Sequence, residues 1–279
     1  SSPPSSKQEA APSAETRLAQ LQKQADSGDA DAQFNLGVMY RKGEGVPKDD
    51  AKAMELYQKA AAQRHAKAQY GLGWMYQYGS GVPKDAAKAI EWYQKAAAQG
   101  HTGAQTQLGF MYMAGEGIPK DDAKAMEWYL KAATQGDAAA QSIVGGMYNA
   151  GLGVPKNVAK AIEWYQKAAA QGHADAQCSL GEMYDKGEGV PKDVAKAVEW
   201  YQKAAAQGDA DAQFNVVPVE FRPTTRAQMR LGLMYYVGEG VPKDAAKAVE
   251  WWQKVAAQGS ADAQHNLGLM YVKGEGVPK

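Results

Sequence analysis

Seven copies of one phrase, most of them 36 residues apart, constrain this chain more than any other feature of it. Ala-Gln-x-x-Leu-Gly-x-Met-Tyr starts at Ala32 and recurs from Ala68, Ala104, Ala227 and Ala263, with looser copies at Ala140 and Ala176. Gly-x-Gly-Val-Pro-Lys, or a near copy, starts at Gly43, Gly79, Gly115, Gly151, Gly187, Gly238 and Gly274. A fixed period in this range predicts a solenoid, in which each unit buries its apolar face only against its neighbours. The 279 residues therefore share one continuous core instead of dividing into globular domains. An object of this kind usually serves as a surface that holds another molecule.

One repeat reads as two helices. The first is expected over about 30–42, with Leu36, Met39 and Tyr40 on one face and small Ala32 and Gly37 where a neighbouring helix comes close. Gly43-Glu44-Gly45-Val46-Pro47 stops it. Asp49 is the expected N-cap of a second helix over about 50–63, whose apolar stripe is Ala53, Leu56, Tyr57 and Ala60. Lys52, Glu55 and Lys59 form a solvated outer face with Glu55 four residues before Lys59, and the trio recurs as Lys88, Glu91 and Lys95. Trp92, Trp128, Trp164, Trp200 and Trp251 occupy one position of the second helix; packing between repeats is the expected role, with a stacking platform for bases or sugars as the alternative.

Charge and chemistry exclude several functions. Lys plus Arg equals Asp plus Glu at 31 each, which argues against sequence-independent nucleic-acid binding and against an anionic membrane surface. No apolar run approaches the ~18–20 residues needed to span a bilayer. Cys178 is the only cysteine, so no intrachain disulfide forms and a thiolate metal site is not expected. His65, His101 and His173 share a repeat position filled elsewhere by Asp29, Asp137, Asp209 and Ser260, the residue types of an N-cap or turn, and whole repeats separate them. No carboxylate pair, Ser-His-Asp set or phosphate loop is present, and Gly-Glu-Gly lacks the Lys-Ser/Thr that a phosphate cradle needs. We expect no catalytic residue, no cofactor and no metal.

The motifs Ala-x-Ala-Gln-x-x-Leu-Gly-x-Met-Tyr, Gly-x-Gly-Val-Pro-Lys-Asp and Ala-Lys-Ala-x-Glu-Trp-Tyr-x-Lys-Ala-Ala-x-Gln-Gly resemble the Sel-1-like repeat family, relatives of the tetratricopeptide repeats. The resemblance covers residues 14–279 apart from one insertion. It implies an all-α fold, a right-handed superhelical solenoid of antiparallel helix pairs, and an adaptor role in bacterial envelope, signalling or host-contact systems or in eukaryotic quality control. The family's cysteine-rich, penicillin-binding branch has a disulfide in every repeat, so its activity is not carried over to a chain with one cysteine.

Comparison of the repeats separates positions the scaffold holds fixed from those it frees. In the first helix the free ones are 34, 35, 38, 41 and 42 of the first unit, which fall on one stripe. By resemblance to related solenoids that stripe lines a concave groove. Its expected partner-binding residues are Phe34, Asn35 and Val38; Tyr70, Trp74, Gln77 and Tyr78; Gln107, Phe110 and Met113; and Arg230, Leu233 and Tyr236. Repeats two and three form an aromatic and Met-rich patch, suited to an apolar anchor of an extended peptide. Part of the stripe packing between repeats is the competing reading.

The phrase begun at Ala212 breaks off and restarts at Ala227, 15 residues late. Residues 214–226 are therefore read as an insertion in the sixth repeat, extended or a lone strand from the alternation of Val217, Val219 and Phe221, with Thr224 or Thr225 capping the restarted helix. It folds onto the groove, offers a strand edge to a partner, or is a tolerated loop. Repeats are expected from near 29, 65, 101, 137, 173, 209 and 260, the last incomplete. Residues 1–13, rich in Ser and Pro, read as a disordered tether, followed by a polar capping helix over 15–27. The last repeat lacks its second helix, so the face of Leu267, Met270 and Tyr271 is expected to be uncovered and available for self-association. The reading is a non-enzymatic scaffold for a protein or peptide partner. The alternative is a cell-wall glycan binder using Trp74, Tyr78, Tyr235 and Tyr236, and the expected location is a bacterial periplasm, secreted space or envelope, with the cytoplasm as the alternative.

Overall fold

A computed structural model describes residues 14–207 and 222–277. Among them are fourteen α-helices and no strand. The chain divides into two compact units, residues 1–128 and 129–279, each considered by itself. The proposed tether and residues 214–221 of the insertion lie outside the described residues.

The first unit contains α1 (Ala14–Asp26), α2 (Ala30–Lys42), α3 (Asp50–Ala62), α4 (Ala66–Tyr78), α5 (Ala86–Ala98) and α6 (Thr102–Ala114), and shares α7 (Asp122–Thr134) with the second. From α1 to α6 each helix packs on the next in sequence. Caps set their ends. The Asp29 carboxylate accepts the Ala32 N–H at 2.7 Å and Asp49 that of Lys52 at 2.9 Å, satisfying donors the first turn leaves open. At the other end Gly43 takes φ 75°, and its N–H bonds Met39 O. The loop then closes with Asp49 N–H on Tyr40 O at 2.9 Å.

The fixed positions of the repeat are the contacts between helices. Tyr57 and Tyr93 are buried side-on against Gly37 and Gly73, where a Cβ would stand 2.7 and 2.6 Å from the ring. The glutamine of each Ala-Gln pair is buried too. Gln33 donates to Ala25 O and accepts from Gln63; Gln69 donates to Ala61 O and accepts from Gln99. Both halves of these buried amides are thus satisfied.

The second unit continues with α8 (Ala138–Ala150), α9 (Val158–Ala170), α10 (Ala174–Lys186), α11 (Val194–Ala205), α12 (Pro223–Val237), α13 (Ala245–Ala256) and α14 (Ala261–Lys273). Its buried Tyr165 and Tyr201 and its pairs Gln171–Gln141 and Gln207–Gln177 repeat the same contacts. The restarted helix departs from expectation. It begins at Pro223, four residues before the phrase resumes, and Arg222 occupies the cap without a side-chain cap bond. Proline has no N–H to satisfy and a φ already suited to a first turn. Thr224 and Thr225 are therefore not caps. Both are buried inside the first turn, and Thr225 Oγ1 donates to Gln258 Oε1 at 3.2 Å. Gln258 is the residue that would pair with Gln228, whose Oε1 is buried without a partner.

On the surface the lysine trio and the last helix differ from expectation, while the tryptophans follow it. The Glu55–Lys59 pair forms at 2.7 Å, but the lysines at the equivalent of Lys59 in later repeats sit over tryptophan: Lys95 on Trp92 at 4.1 Å, Lys167 on Trp164, Lys203 on Trp200 and Lys254 on Trp251. The first repeat has Leu56 in the tryptophan's place, leaving Lys59 free to reach Glu55. These tryptophans pack between repeats, with Trp92 against the Tyr57–Leu72 cluster and Trp200 against the Tyr165–Leu180 cluster. At the last helix Met270 is 2% exposed and Leu267 packs beside it on the α13 cluster, so only Tyr271 of the expected open face stands out.

Candidate functional site

In the first unit the variable stripe of α2 and α4 closes into a cleft of about 360 Å³. Phe34, Val38, Tyr70 and Trp74, all expected on an open stripe, line it together with Arg41 and Lys67. The stripe aromatics are half-buried, because each is held between a buried tyrosine and a histidine cap. Phe34 stacks with Tyr57 at 5.6 Å and His65 at 5.0 Å; Tyr70 meets Tyr93 at 5.6 Å and His101 at 4.7 Å. Trp74 carries Arg41 at 5.0 Å from its ring centroid and lies 5.0 Å from Tyr78. Tyr78, beside Trp74, and Phe110 of the next repeat are the most open apolar side chains of the stripe in this unit, 56% and 42% exposed; Asn35 is also exposed, and Gln107 and Met113 are half-buried.

Gln77 is a correction. At 1% exposure it lies beneath this surface, accepting from the Tyr93 hydroxyl at 2.7 Å and donating to Glu116 at 3.3 Å. Its place three residues after Trp74 turns it toward its own second helix, so it holds the wall of the site and does not face a partner.

His65, His101 and His173 all stand at N-cap positions, as expected, but only His65 and His101 cap through a side-chain bond. His65 Nδ1 accepts the Ala68 N–H, so the proton sits on Nε2, which donates to Asp31 at 3.0 Å. His101 Nδ1 accepts the Ala104 N–H at 3.1 Å. Burial, and after it the charge of Lys67, hold the His101 pKa below its ordinary value. Burial likewise raises the phenols of Tyr57 and Tyr70, opposed at Tyr57 by the charge of Arg41 and at Tyr70 by a hydrogen bond from Gln107.

The second unit places a larger cleft, about 820 Å³, on α10, α12 and α14. Arg230 and Leu233 line it as expected, with Met229, Arg226 and Glu182. Its arginines are engaged. Arg230 grips Asp185 with two bonds, 2.7 and 2.8 Å, and reaches Glu239 at 3.0 Å. Arg226 pairs with Glu182 and lies 3.7 Å from Asp175, while Lys192 reaches Glu239 at 3.5 Å. Arg230 is therefore part of a fixed ion network, where the sequence suggested a free partner contact. Tyr236 and Leu233 line a smaller cleft of about 140 Å³ with Leu269 and Lys273. Arg226 was not legible as a site residue, because it was read as the end of the insertion, although it holds the repeat position of Asp31, Lys67 and Asp175.

Cys178, buried beside Glu182, has its thiol pushed up to about 12, first by burial. It is a protonated core group and no nucleophile. Among the described residues no cluster of His, Cys, Asp or Glu is arranged to hold a metal ion, and no helix is long and apolar enough to cross a membrane.

Residues 30–65, 66–101, 102–137, 138–173, 174–209, 225–260 and 261–279 match the family model of the Sel1 repeat. A crystal structure of a Sel1 repeat protein from Oxalobacter formigenes is similar over 94% of this chain and 72% of its own, with 36% identity and a TM-score of 0.76. The structure of c5321, a protective antigen of uropathogenic Escherichia coli with an SLR fold, is 36% identical over 94% of this chain and 68% of its own, with a TM-score of 0.53. No curated protein matches the chain.

Proposed function

The chain belongs to the Sel1 repeat family, whose members generally mediate protein–protein interaction, and on that premise we propose that it is a non-enzymatic scaffold that takes an extended segment of a protein partner on the first-helix face of its first unit. One observation carries the reading. Phe34, Val38, Tyr70 and Trp74, which the repeat leaves free to vary, converge on one cleft, where exposed Tyr78 lies against Trp74. Half-buried aromatics in a preformed recess are the usual energetic centre of a protein interface.

A glycan platform finds no comparable support. A sugar needs an open ring face, whereas Trp74 is packed by Arg41 and Tyr78, and Tyr235 and Tyr236 carry lysines at 5.2 and 5.7 Å. The bacterial sources of both relatives, one of them a protective antigen, support an envelope or external location for this chain, which cell fractionation would check.

The test is capture from a bacterial envelope extract by wild type beside a Trp74→Ala/Tyr78→Ala variant of unchanged melting temperature. We expect a protein retained by the wild type alone. Equal retention by both sinks the assignment to this cleft.

A further inference from the structure

We propose that the first-unit cleft selects an acidic peptide: an apolar or aromatic side chain seats among Phe34, Tyr70 and Trp74, and carboxylates on the residues flanking it meet Arg41 and Lys67. This rests on the peptide reading above and specifies its chemistry.

The charge of the lining carries the argument. Arg41 and Lys67 line the cleft, and no carboxylate does. Among the described residues neither cation is in an ion pair with an acidic side chain, although neighbouring basic residues of the same unit are paired, Lys42 with Glu44, Lys48 with Asp50 and Lys52 with Asp49. Arg41 is held in place by Trp74, at 5.0 Å from its ring, and by a hydrogen bond to the Tyr57 hydroxyl, which uses part of its five-donor fork and leaves the remaining N–H groups for a carboxylate. Lys67 is exposed on the first turn of α4 and acts electrostatically on His101 in the cleft wall. His101, kept neutral, adds no counter-charge. Two positive charges beside apolar walls attract an anion more strongly than they would in open water.

The size of the recess sets the rest. About 360 Å³ suits one or two side chains, so the anion must sit next to an apolar group. Two cations are too few to follow a phosphate backbone, and Arg41 occupies the Trp74 ring that a base would stack on. An Asp or Glu beside a Phe, Leu or Met fits both halves of the site.

The experiment uses the full chain and labelled, end-blocked peptides read by fluorescence polarisation at low salt: Gly-Glu-Phe-Glu-Gly, its Gln and Lys counterparts, and a thymidine octanucleotide. The Glu peptide should bind roughly tenfold tighter than the Gln peptide, as expected for a charge-assisted contact in a partly dry site, and the Lys peptide weakest. The preference should vanish in Arg41→Gln/Lys67→Gln and fall in Lys67→Gln alone, which leaves the Arg41–Trp74 packing intact. Equal affinity for the Glu and Gln peptides, a preference unchanged in the double variant, or tighter binding of the oligonucleotide overturns the acidic assignment. If the Glu and Gln peptides bind equally, the peptide reading still stands. If no peptide binds, both fall.

Discussion

The two clefts occupy equivalent faces of the repeat and treat charge in opposite ways. In the first unit Arg41 and Lys67 stand without carboxylate partners beside a row of aromatic rings. In the second, Arg230 and Arg226 are gripped by Asp185, Glu239 and Glu182 inside a cleft more than twice as large. The helix-pair architecture is therefore indifferent to what its free positions carry. The same geometry yields a recess with charge to offer in one place and a self-neutralised brace in another. The difference follows from residue identity. Asp185 and Arg230 stand at the repeat positions that Arg41 and Gly71 hold in the first unit, so an arginine there faces a glycine while here it faces an aspartate.

The contrast is most directly broken by removing one arginine from each side. Arg230→Ala leaves Asp185, 8% exposed, without a cation and Glu239 with Lys192 alone, and should cost about 3 kcal/mol, read as a lower urea midpoint. Arg41→Ala removes a ring contact and one hydrogen bond to the Tyr57 hydroxyl and should cost about 1 kcal/mol. Equal losses would mean that the second cleft is not braced by its ion network.

Histidine caps sharpen the comparison at a smaller scale. His101 accepts the Ala104 N–H, whereas His173 makes no side-chain cap bond and its Nδ1 is buried without a partner. His101→Ala should cost about 1 kcal/mol and His173→Ala almost nothing. The pH dependence has a fixed sign. The folded chain holds the His101 pKa below its ordinary 6.5, so the unfolded chain takes the proton first. The stability from the neutral cap is complete above pH 6.5 and is lost as pH falls through the lowered folded value. His101→Asp should flatten that part of a melting-temperature profile, since Asp29 and Asp137 already cap this way.

The smallest effect belongs to Arg64, the one non-glycine residue at positive φ among the described residues, at 64° where later repeats have Gly100, Gly136 and Gly172. Arg64→Gly should stabilise the first unit by about 0.5 kcal/mol, because the strain relieved slightly exceeds the added freedom of the unfolded chain. An unchanged or lower melting temperature would show that the turn carries no such strain.

What was legible in the sequence was local. Asp49 and His101 cap helices through bonds to backbone three residues on, and Gly43 ends one by a dihedral that needs no neighbour. The small residue at Gly37 and the identity of Tyr57 could be matched because each recurs. The site was legible only in part. Phe34, Tyr70 and Trp74 were found by their variation between repeats, but variation does not say which side of a helix is open, and so Gln77 was placed on the surface when it supports Tyr93. Arg226 and Arg230 stand at positions that carry no arginine in the other repeats, and no periodicity reports which acidic residues they meet.

The buried glutamine pairs have a consequence for how such a chain can grow. Gln63 donates a hydrogen bond to Gln33, and Gln99 to Gln69, always toward the N-terminal side, in a direction repeated by Gln171 to Gln141 and Gln207 to Gln177. Copying or excising a whole 36-residue segment carries donor and acceptor along together, so the seam closes with nothing left over. Extra chain between repeats does not break the line either: Gln228, which comes 15 residues late, still donates to Ala205 O as Gln33 does to Ala25 O. Its oxygen lacks a donor for a local reason, since the amide of Gln258 meets Thr225 instead. The amide line thus works as a gauge of which helix faces meet, tolerant of gene duplication in whole units and blind to the length of chain between them.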